Sequence, residues 1–417
     1  MNERMIHERT ARICVVGLGY IGLPTACFFA KAGFRVYGCD IIEEKVALLQ
    51  NGQLPFCEPG LEELLAEGLQ RISFSREIQV ADIYIICVPT PLTIEKKSDL
   101  SYLVAAVQNI QTVIKKDDLI VVESTIPPRT IEDIVKPLFH EEVFLAHAPE
   151  RAIPGNTIIE IVHNTRIVGG VDGESRHLAR ILYETFVKSE VYETEVRVAE
   201  IVKIIENTYR DVNIGFANEI AKICERMELN VWDVIRLANF HPRVSIHLPG
   251  PGVGGHCIPI DPYFLLNDTL PDGMIAAARL INNSMPQHVV FTLENLLRGI
   301  ENPLVSVLGI AYKKNVSDDR ESPSLQIIEL LKLRSIRMEI FDPLCQTTQR
   351  YSLSNSFKEA TEGSDCILLL TDHDLFREID PSQIGVMRTK LLYDTRNVLN
   401  HDQWRAHGFQ INVLGSA

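Results

Sequence analysis

Nine cysteines are present in 417 residues, yet no Cys-x-x-Cys pair occurs, and positions 14, 27, 39, 57, 87, 224, 257, 345 and 366 are scattered and odd in number. That pattern points to neither a disulfide framework nor a zinc site, and it suits a reducing, cytoplasmic compartment. Basic charge is in short supply too: 41 Lys and Arg face 55 Asp and Glu, a formal net charge of −14. No nucleic-acid surface and no polybasic membrane anchor are expected from such a balance, although a local basic pocket for a phosphorylated ligand is compatible with it. A long unbroken apolar run is also missing. The stretch that mimics one, residues 13–30, carries no charge but is interrupted by Gly17, Gly19, Gly22 and Pro24, so it reads as neither a signal peptide nor a membrane span. What remains is an ordinary globular composition, 46% hydrophobic and 23% charged, on a chain long enough for two or three cores.

The glycines that interrupt the run are themselves a signal. Arg12-Ile13-Cys14-Val15-Val16 is a short apolar run, Gly17-Leu18-Gly19-Tyr20-Ile21-Gly22 opens a helical stretch to Ala32, and a second apolar run from Phe34 to Cys39 ends at Asp40. Strand, G-x-G-x-x-G, helix, strand and acid make the dinucleotide-binding pattern. The first glycine allows the tight turn, the second lets the backbone meet a diphosphate at a helix N-terminus, and the third packs helix on strand. An acid at position 40 accepts from ribose hydroxyls and repels a 2′-phosphate, which selects NAD over NADP, and Lys45 is the only cation close by. The alternation continues through an apolar run from Ala81 into Pro89-Thr90-Pro91, a helical stretch from Leu100 to Ile114, and the run Leu119–Val122 into Glu123-Ser124-Thr125. Ligands of an open parallel sheet sit off the carboxyl ends of its strands. Pro89, Thr90 and Thr125 are therefore cofactor candidates beside Gly17, Gly19, Tyr20, Ile21, Gly22, Asp40 and Lys45, with helix capping the plain alternative for the threonines. A further strand, Val143–Ala146, precedes Glu150 and Arg151 on a Pro-rich loop, as a solvated pair or as site residues.

From Val198 to about Met227 the apolar positions take up a helical period, and the length suits a spine. Lys203, Asn207, Arg210 and Asp211 share one face of it, either the wet side of the helix or donors aimed at an oxyanion. Gly250–Pro262 then holds four glycines and three prolines in thirteen residues. Such a stretch is a tight loop that leaves room for something to approach. It presents Cys257 as a candidate nucleophile with Asp261 four residues on, the plain alternative being a structural turn with a half-buried thiol. A second α/β rhythm begins at Leu304 and lacks the glycine hexad, as in a mononucleotide-type half that binds something other than a dinucleotide. Lys313, Lys314, Arg320 and Arg396 stand at its strand ends, suited to phosphates or to the surface.

Taken together, the hexad, the K-x-x-x-N of Lys203 and Asn207, the G-G-H-C-I-P-x-D of residues 254–261, and Lys313 with Asp319-Arg320-Glu321-Ser322-Pro323 resemble the UDP-glucose/GDP-mannose dehydrogenase family from Arg12 to Leu399. The resemblance implies an α/β fold of two Rossmann-like doubly wound domains joined by a central long-helix domain, with boundaries 1–197, 198–300 and 301–417. It implies a homodimer through the central helix and NAD as cofactor, with no metal. The implied activity is a four-electron oxidation of the C6 hydroxyl of a UDP-sugar to a uronate, for surface polysaccharide precursors. Carried over by position, Cys257 is similar to the family nucleophile, Lys203 and Asn207 to the groups that hold the substrate oxygen, and Asp261 to the carboxylate that orients water. Thr125 and Glu150 are similar to the residues near that water. Arg320 would meet the cofactor diphosphate, Lys313, Arg210, Gly254 and Arg151 the sugar nucleotide, and Arg243 the substrate of a second subunit. Pro149–Gly155, Glu160–Arg166 and Arg279–Asn283 resemble the branch that acts on UDP-N-acetyl-D-mannosamine. UDP-N-acetylglucosamine is the alternative substrate, and an inactive nucleotide-sugar-binding regulator is the alternative of another class.

Overall fold

The structure, a computed structural model, describes residues 1–266, 273–345 and 351–416. Two compact units emerge: Met1–Glu206 with the segment from Tyr263, and Asn207–Pro262 with the chain beyond.

In the first unit, short runs rich in Ile, Val and Leu form an eight-stranded sheet. Its strands are β1 (Arg12–Val16), β2 (Arg35–Cys39), β3 (Ile72–Ser75), β4 (Ile83–Ile86), β5 (Leu119–Val122), β6 (Phe144–His147), β7 (Arg166–Gly170) and β8 (Val191–Glu195), in the order β3-β2-β1-β4-β5-β6-β7-β8. All neighbours are parallel except β6 and β7. Strands such as Ile83–Ile86 and Leu119–Val122 are buried on both faces, as parallel strands sandwiched by helices must be. Alternate residues feed two cores: Ile13, Val15, Ile83, Ile85 and Val121 enter one, while Cys14, Val16, Tyr84, Ile86 and Val122 enter the other. The order of strands reverses between β1 and β4, and that switch point is where such sheets hold ligands.

The second unit repeats the plan on a smaller scale. Five parallel strands, β9 (Leu304–Leu308), β10 (Arg337–Phe341), β11 (Cys366–Leu369), β12 (Leu391–Asp394) and β13 (Gln410–Val413), lie in the order β10-β9-β11-β12-β13, with the reversal between β9 and β11. Before this sheet come the spine helix Val196–Arg226, whose 31 residues pass from the first unit into the second, and the helix Met274–Leu296. A Cβ on Gly215 would stand 3.0 Å from that of Ala278, so glycine permits the two helices to touch. The chain is thus α/β with doubly wound sheets and a long central helix, as the resemblance implies. Among the described residues no helix is long and apolar enough to cross a membrane.

Candidate active site

The glycine corner of the first unit has the local geometry that its residue types demand. Gly17 sits at φ +92, and a Cβ there would lie 2.5 Å from the carbonyl oxygen of Cys87 at the end of β4. A Cβ on Gly22 would lie 1.8 Å from the Gly17 oxygen, which closes the helix Gly22–Lys31 tightly on the turn. Around Gly19 there is open space, and no side chain caps the first turn of that helix. A diphosphate fits that cradle. Asp40 is buried and accepts from Leu18 N (2.9 Å), Ile42 N (3.0 Å) and Lys45 Nζ (2.6 Å). Among the described residues three of about four acceptor positions on the carboxylate are used and one is left for a ribose hydroxyl, while Lys45 is already paired and offers a 2′-phosphate little. Tyr20 packs on Phe56, with ring centres 4.3 Å apart. Thr90 Oγ1 donates to the Thr125 carbonyl oxygen at 2.6 Å, which joins the turns that follow β4 and β5.

On the spine helix the polar face is not the wet side. Lys203, Asn207 and Asp211 are 8%, 5% and 0% exposed, and only Arg210 of the four points to solvent. Within the second unit Asn207 and Asp211 both have partners. Asn207 Nδ2 donates to Asp261 Oδ2 at 2.6 Å. Asp211 accepts from Arg279 Nη1 (2.5 Å) and Asn282 Nδ2 (2.8 Å), Asn218 Nδ2 donates to Asn282 Oδ1 (2.9 Å), and Gly250 N donates to Asn218 Oδ1 (2.9 Å). This relay anchors the start of the cysteine loop to two helices. Burial pushes the Asp211 carboxyl up in pKa, and Arg279 and Asn282 only partly oppose it.

The room expected around the loop's glycines is occupied by the chain itself. A Cβ on Gly252 would stand 2.8 Å from Pro323, one on Gly254 2.6 Å from Pro323 and 2.8 Å from the Glu321 oxygen, and one on Gly255 2.8 Å from the Tyr312 ring. These glycines therefore seat the loop against the segment that follows β9, a correction to the reading that they clear the way for a ligand. Cys257 is exposed at the tip, and its carbonyl accepts from Asp261 N at 2.9 Å, so thiol and carboxylate are one turn apart. In that same segment Lys313 is half-buried, and Arg320 makes a bidentate pair with Asp318 at 2.8 and 2.7 Å. Arg243 lies on an exposed stretch after the helix Val231–Ala238.

Residues 11–187 match the NAD binding domain of the UDP-glucose/GDP-mannose dehydrogenase family, residues 197–284 its central domain and residues 306–401 its UDP binding domain. The chain belongs to that family. It is an NAD-dependent sugar-nucleotide dehydrogenase. It is similar to the UDP-N-acetyl-D-mannosamine dehydrogenase of Methanococcus maripaludis, 44% identical over 417 residues that cover 97% of each chain. A solved UDP-N-acetyl-mannosamine dehydrogenase from Staphylococcus aureus superposes with a TM-score of 0.88 at 40% identity, over 97% of this chain and 98% of that one. The NDP-N-acetyl-D-galactosaminuronic acid dehydrogenase of Ralstonia nicotianae is 36% identical over 95% of this chain and 98% of its own.

Sequence reasoning missed a group of charges buried in the first unit of this dehydrogenase. Arg166, at the head of β7, bridges Glu123 and Glu150, and all three side chains are buried. Burial alone pulls the guanidinium pKa down, but the two carboxylates more than restore it. Arg151, next in the chain, is held by Glu206 at 2.6 Å and by the carbonyl of Thr165, beside a cleft of about 410 Å³ that these residues line with Asn164. The available signal was a lone cation opening the otherwise apolar Arg166–Gly170.

Proposed function

We propose that this dehydrogenase converts UDP-N-acetyl-D-mannosamine to its C6 uronate through a covalent adduct on Cys257. The observation that carries the reading is the Cys257 turn, where an exposed thiol is followed one turn later by a buried carboxylate that Asn207 holds at 2.6 Å. Full-length similarity to enzymes named for that substrate supports the choice of sugar. Overall, alcohol, two NAD+ and water give carboxylate, two NADH and three protons. NAD, when bound, takes up one hydride at each oxidation.

Lys203 and Asn207 steady the C6 oxygen as negative charge develops on it, and Asp261 receives the hydroxyl proton. The Cys257 thiolate then adds to the aldehyde carbon, which makes the tetrahedral hemithioacetal that a second oxidation requires; its product is a thioester. Water directed by Asp261, Glu150 and Thr125 adds to the thioester carbon, the C–S bond breaks, and the thiolate returns. On the cofactor side Gly17, Gly19, Tyr20, Ile21 and Gly22 cradle the diphosphate, with Arg320 added to it. Asp40 beside Lys45 takes the ribose, and Pro89, Thr90 and Thr125 line the nicotinamide end. Lys313, Arg210, Arg151 and Gly254 serve the sugar nucleotide, and Arg243 serves that of a second copy.

That second copy docks on the spine helix. Val198, Ile205, Tyr209, Phe216 and Ile223 form a stripe 40–56% exposed at heptad-like spacing, an apolar face that a dimer would cover. Three domains, 1–197, 198–300 and 301–417, then divide the labour in a cytoplasmic enzyme that supplies polysaccharide precursors. NADH formation with a panel of UDP-sugars tests the substrate. UDP-N-acetyl-D-mannosamine should give two NADH per sugar and a kcat/KM at least ~10-fold above the gluco and galacto epimers. A higher value for either epimer reassigns the sugar. Cys257→Ser should stall after the first oxidation or at a slow ester, and full four-electron turnover by it would refute the thioester route.

A further inference from the structure

The buried charges of the first unit can be counted acceptor by acceptor. Glu123, which directly precedes Ser124 and Thr125, accepts on Oε1 from Arg166 Nη2 (2.5 Å) and Tyr183 Oη (2.6 Å), and on Oε2 from Thr25 Oγ1 (3.1 Å) and Cys87 Sγ (3.1 Å). All four of its acceptor positions are taken. Glu150 accepts on Oε1 from the backbone N–H groups of Arg151 (2.6 Å) and Ala152 (2.8 Å), and on Oε2 from Arg166 Nη1. Among the described residues, three of its positions are filled and one on Oε2 is left. Arg166 itself is 4% exposed, donates also to Ala148 O at 3.1 Å, and lies 4.0 Å from the centre of the Tyr183 ring. Neither arm can turn without breaking a contact.

Stability alone does not account for this arrangement. One carboxylate would neutralise the guanidinium; a second leaves a net negative charge among buried side chains, where an apolar replacement is often as stable. The spare acceptor and the rigid mount instead suit a carboxylate that must point one lone pair in a fixed direction.

We infer that Arg166 is a positioning residue for product release: by clamping Glu123 and Glu150 on its two arms it aims the one vacant acceptor of Glu150 at the water that hydrolyses the thioester. The inference rests on the reading of Glu150 and Cys257 proposed above. In that step the water oxygen bonds to the thioester carbon, the C–S bond breaks, sulfur leaves as thiolate, and the two water protons depart, the first to Glu150 and the second, from the new carboxylic acid, to solvent.

Arg166→Lys keeps the charge but has one compact head in place of a fork, so it cannot span both carboxylates. In the full-length enzyme with NAD and the sugar nucleotide, turnover should fall ~30- to 100-fold, in the range expected for a misplacement of about 1 Å. KM for the sugar nucleotide should stay within ~3-fold. Intact-mass spectrometry of acid-quenched turnover samples should show the acyl adduct on Cys257 as the main species, as it should for Glu150→Gln. Glu123→Gln preserves shape and should show the same adduct with a smaller loss, and it decides the matter if Arg166→Lys does not fold. If the Arg166 and Glu123 variants lose activity without adduct, in proportion to lost folded enzyme, the cluster is structural and the inference falls. An adduct in Glu150→Gln together with its absence in those variants overturns the role of Arg166 and leaves that of Glu150 standing. No adduct even in Glu150→Gln overturns both.

Discussion

The two sheets open on the same backbone corner and put it to different ends. After β1, Gly17 at φ +92 donates its N–H to Cys39 O at 2.8 Å, and Leu18 N donates to Asp40 Oδ2 at 2.9 Å. After β9, Gly309 at φ +86 donates to Phe341 O at 2.9 Å, and Ile310 N donates to Asp342 Oδ2 at 2.8 Å. Each glycine abuts the strand across the switch point, Gly17 at Cys87 and Gly309 at Thr371. The acids then diverge. Asp342 also takes Ala311 N, Leu344 N, Cys345 N and His373 Nε2, while His373 Nδ1 accepts from Asn315 N, so that carboxylate is closed to any ligand. The helices diverge too: one starts at Gly22, five residues past its glycine, the other only at Pro323, after a loop that carries Lys313 and Arg320. A corner with an acid is thus not yet a dinucleotide site. Vacant acceptors and a nearby helix terminus make it one.

The sharpest way to separate the corners is to fill their glycines. Gly22→Val should weaken NAD binding at least ~100-fold, because a Cβ 1.8 Å from a backbone oxygen forces the helix off the turn, and should leave UDP binding within ~2-fold by calorimetric titration. Gly309→Val should do the reverse, and loss of both ligands in either variant would break the division between the corners. At the acids the effects are smaller. Asp40→Asn should raise KM for NAD ~10-fold, whereas Asp342→Asn should leave that KM unchanged and cost about 2 kcal/mol by leaving buried donors unmet. A similar rise in KM in both would mean that Asp342 is not closed.

A third contrast is in acid titration, where the sign differs between the units. Burial raises the pKa of Asp342, but His373 and the backbone N–H groups of Cys345 and Ile310 outweigh it and bring the value to about 2. A carboxyl depressed on folding adds stability above its unfolded pKa and loses it as pH falls, here from about 4 to 2, with about 2 kcal/mol at stake. Glu200, which caps Arg129 N and Ile131 N in the first unit, runs the other way. Burial lifts it to about 7 against those two donors, so its ionised form is disfavoured and stability drops as pH rises from about 4.5 to 7. Glu200→Gln should flatten the second window and leave the first intact in thermal melts followed by circular dichroism.

What was legible in the sequence is what depends on neighbours in the chain. The hexad, the buried strands β1, β4, β5 and β9, and the Cys257 turn all rest on local residue types. The edge strands β3 and β13 do not announce themselves, since Ile72–Ser75 and Gln410–Val413 are four residues each, with polar residues among them. The polar face of the spine helix looked wet because its partners are remote: Asp261 lies 54 residues beyond Asn207, and Arg279 lies 68 beyond Asp211. Glu123 and Arg166 were hidden for the same reason, 43 residues apart. Pro323 and Tyr312, which fill the room beside the loop glycines, belong to a segment whose approach no local periodicity encodes.

On the reading of Asp40 as the ribose contact, its pairing with Lys45 also bears on which electron pool the enzyme can feed. As long as the carboxylate stands there, it both repels an extra phosphate and silences the nearest ammonium, two barriers held by a single side chain. On that reading, trading it for serine would lift both at once and narrow the gap between the catabolic coenzyme and its anabolic counterpart.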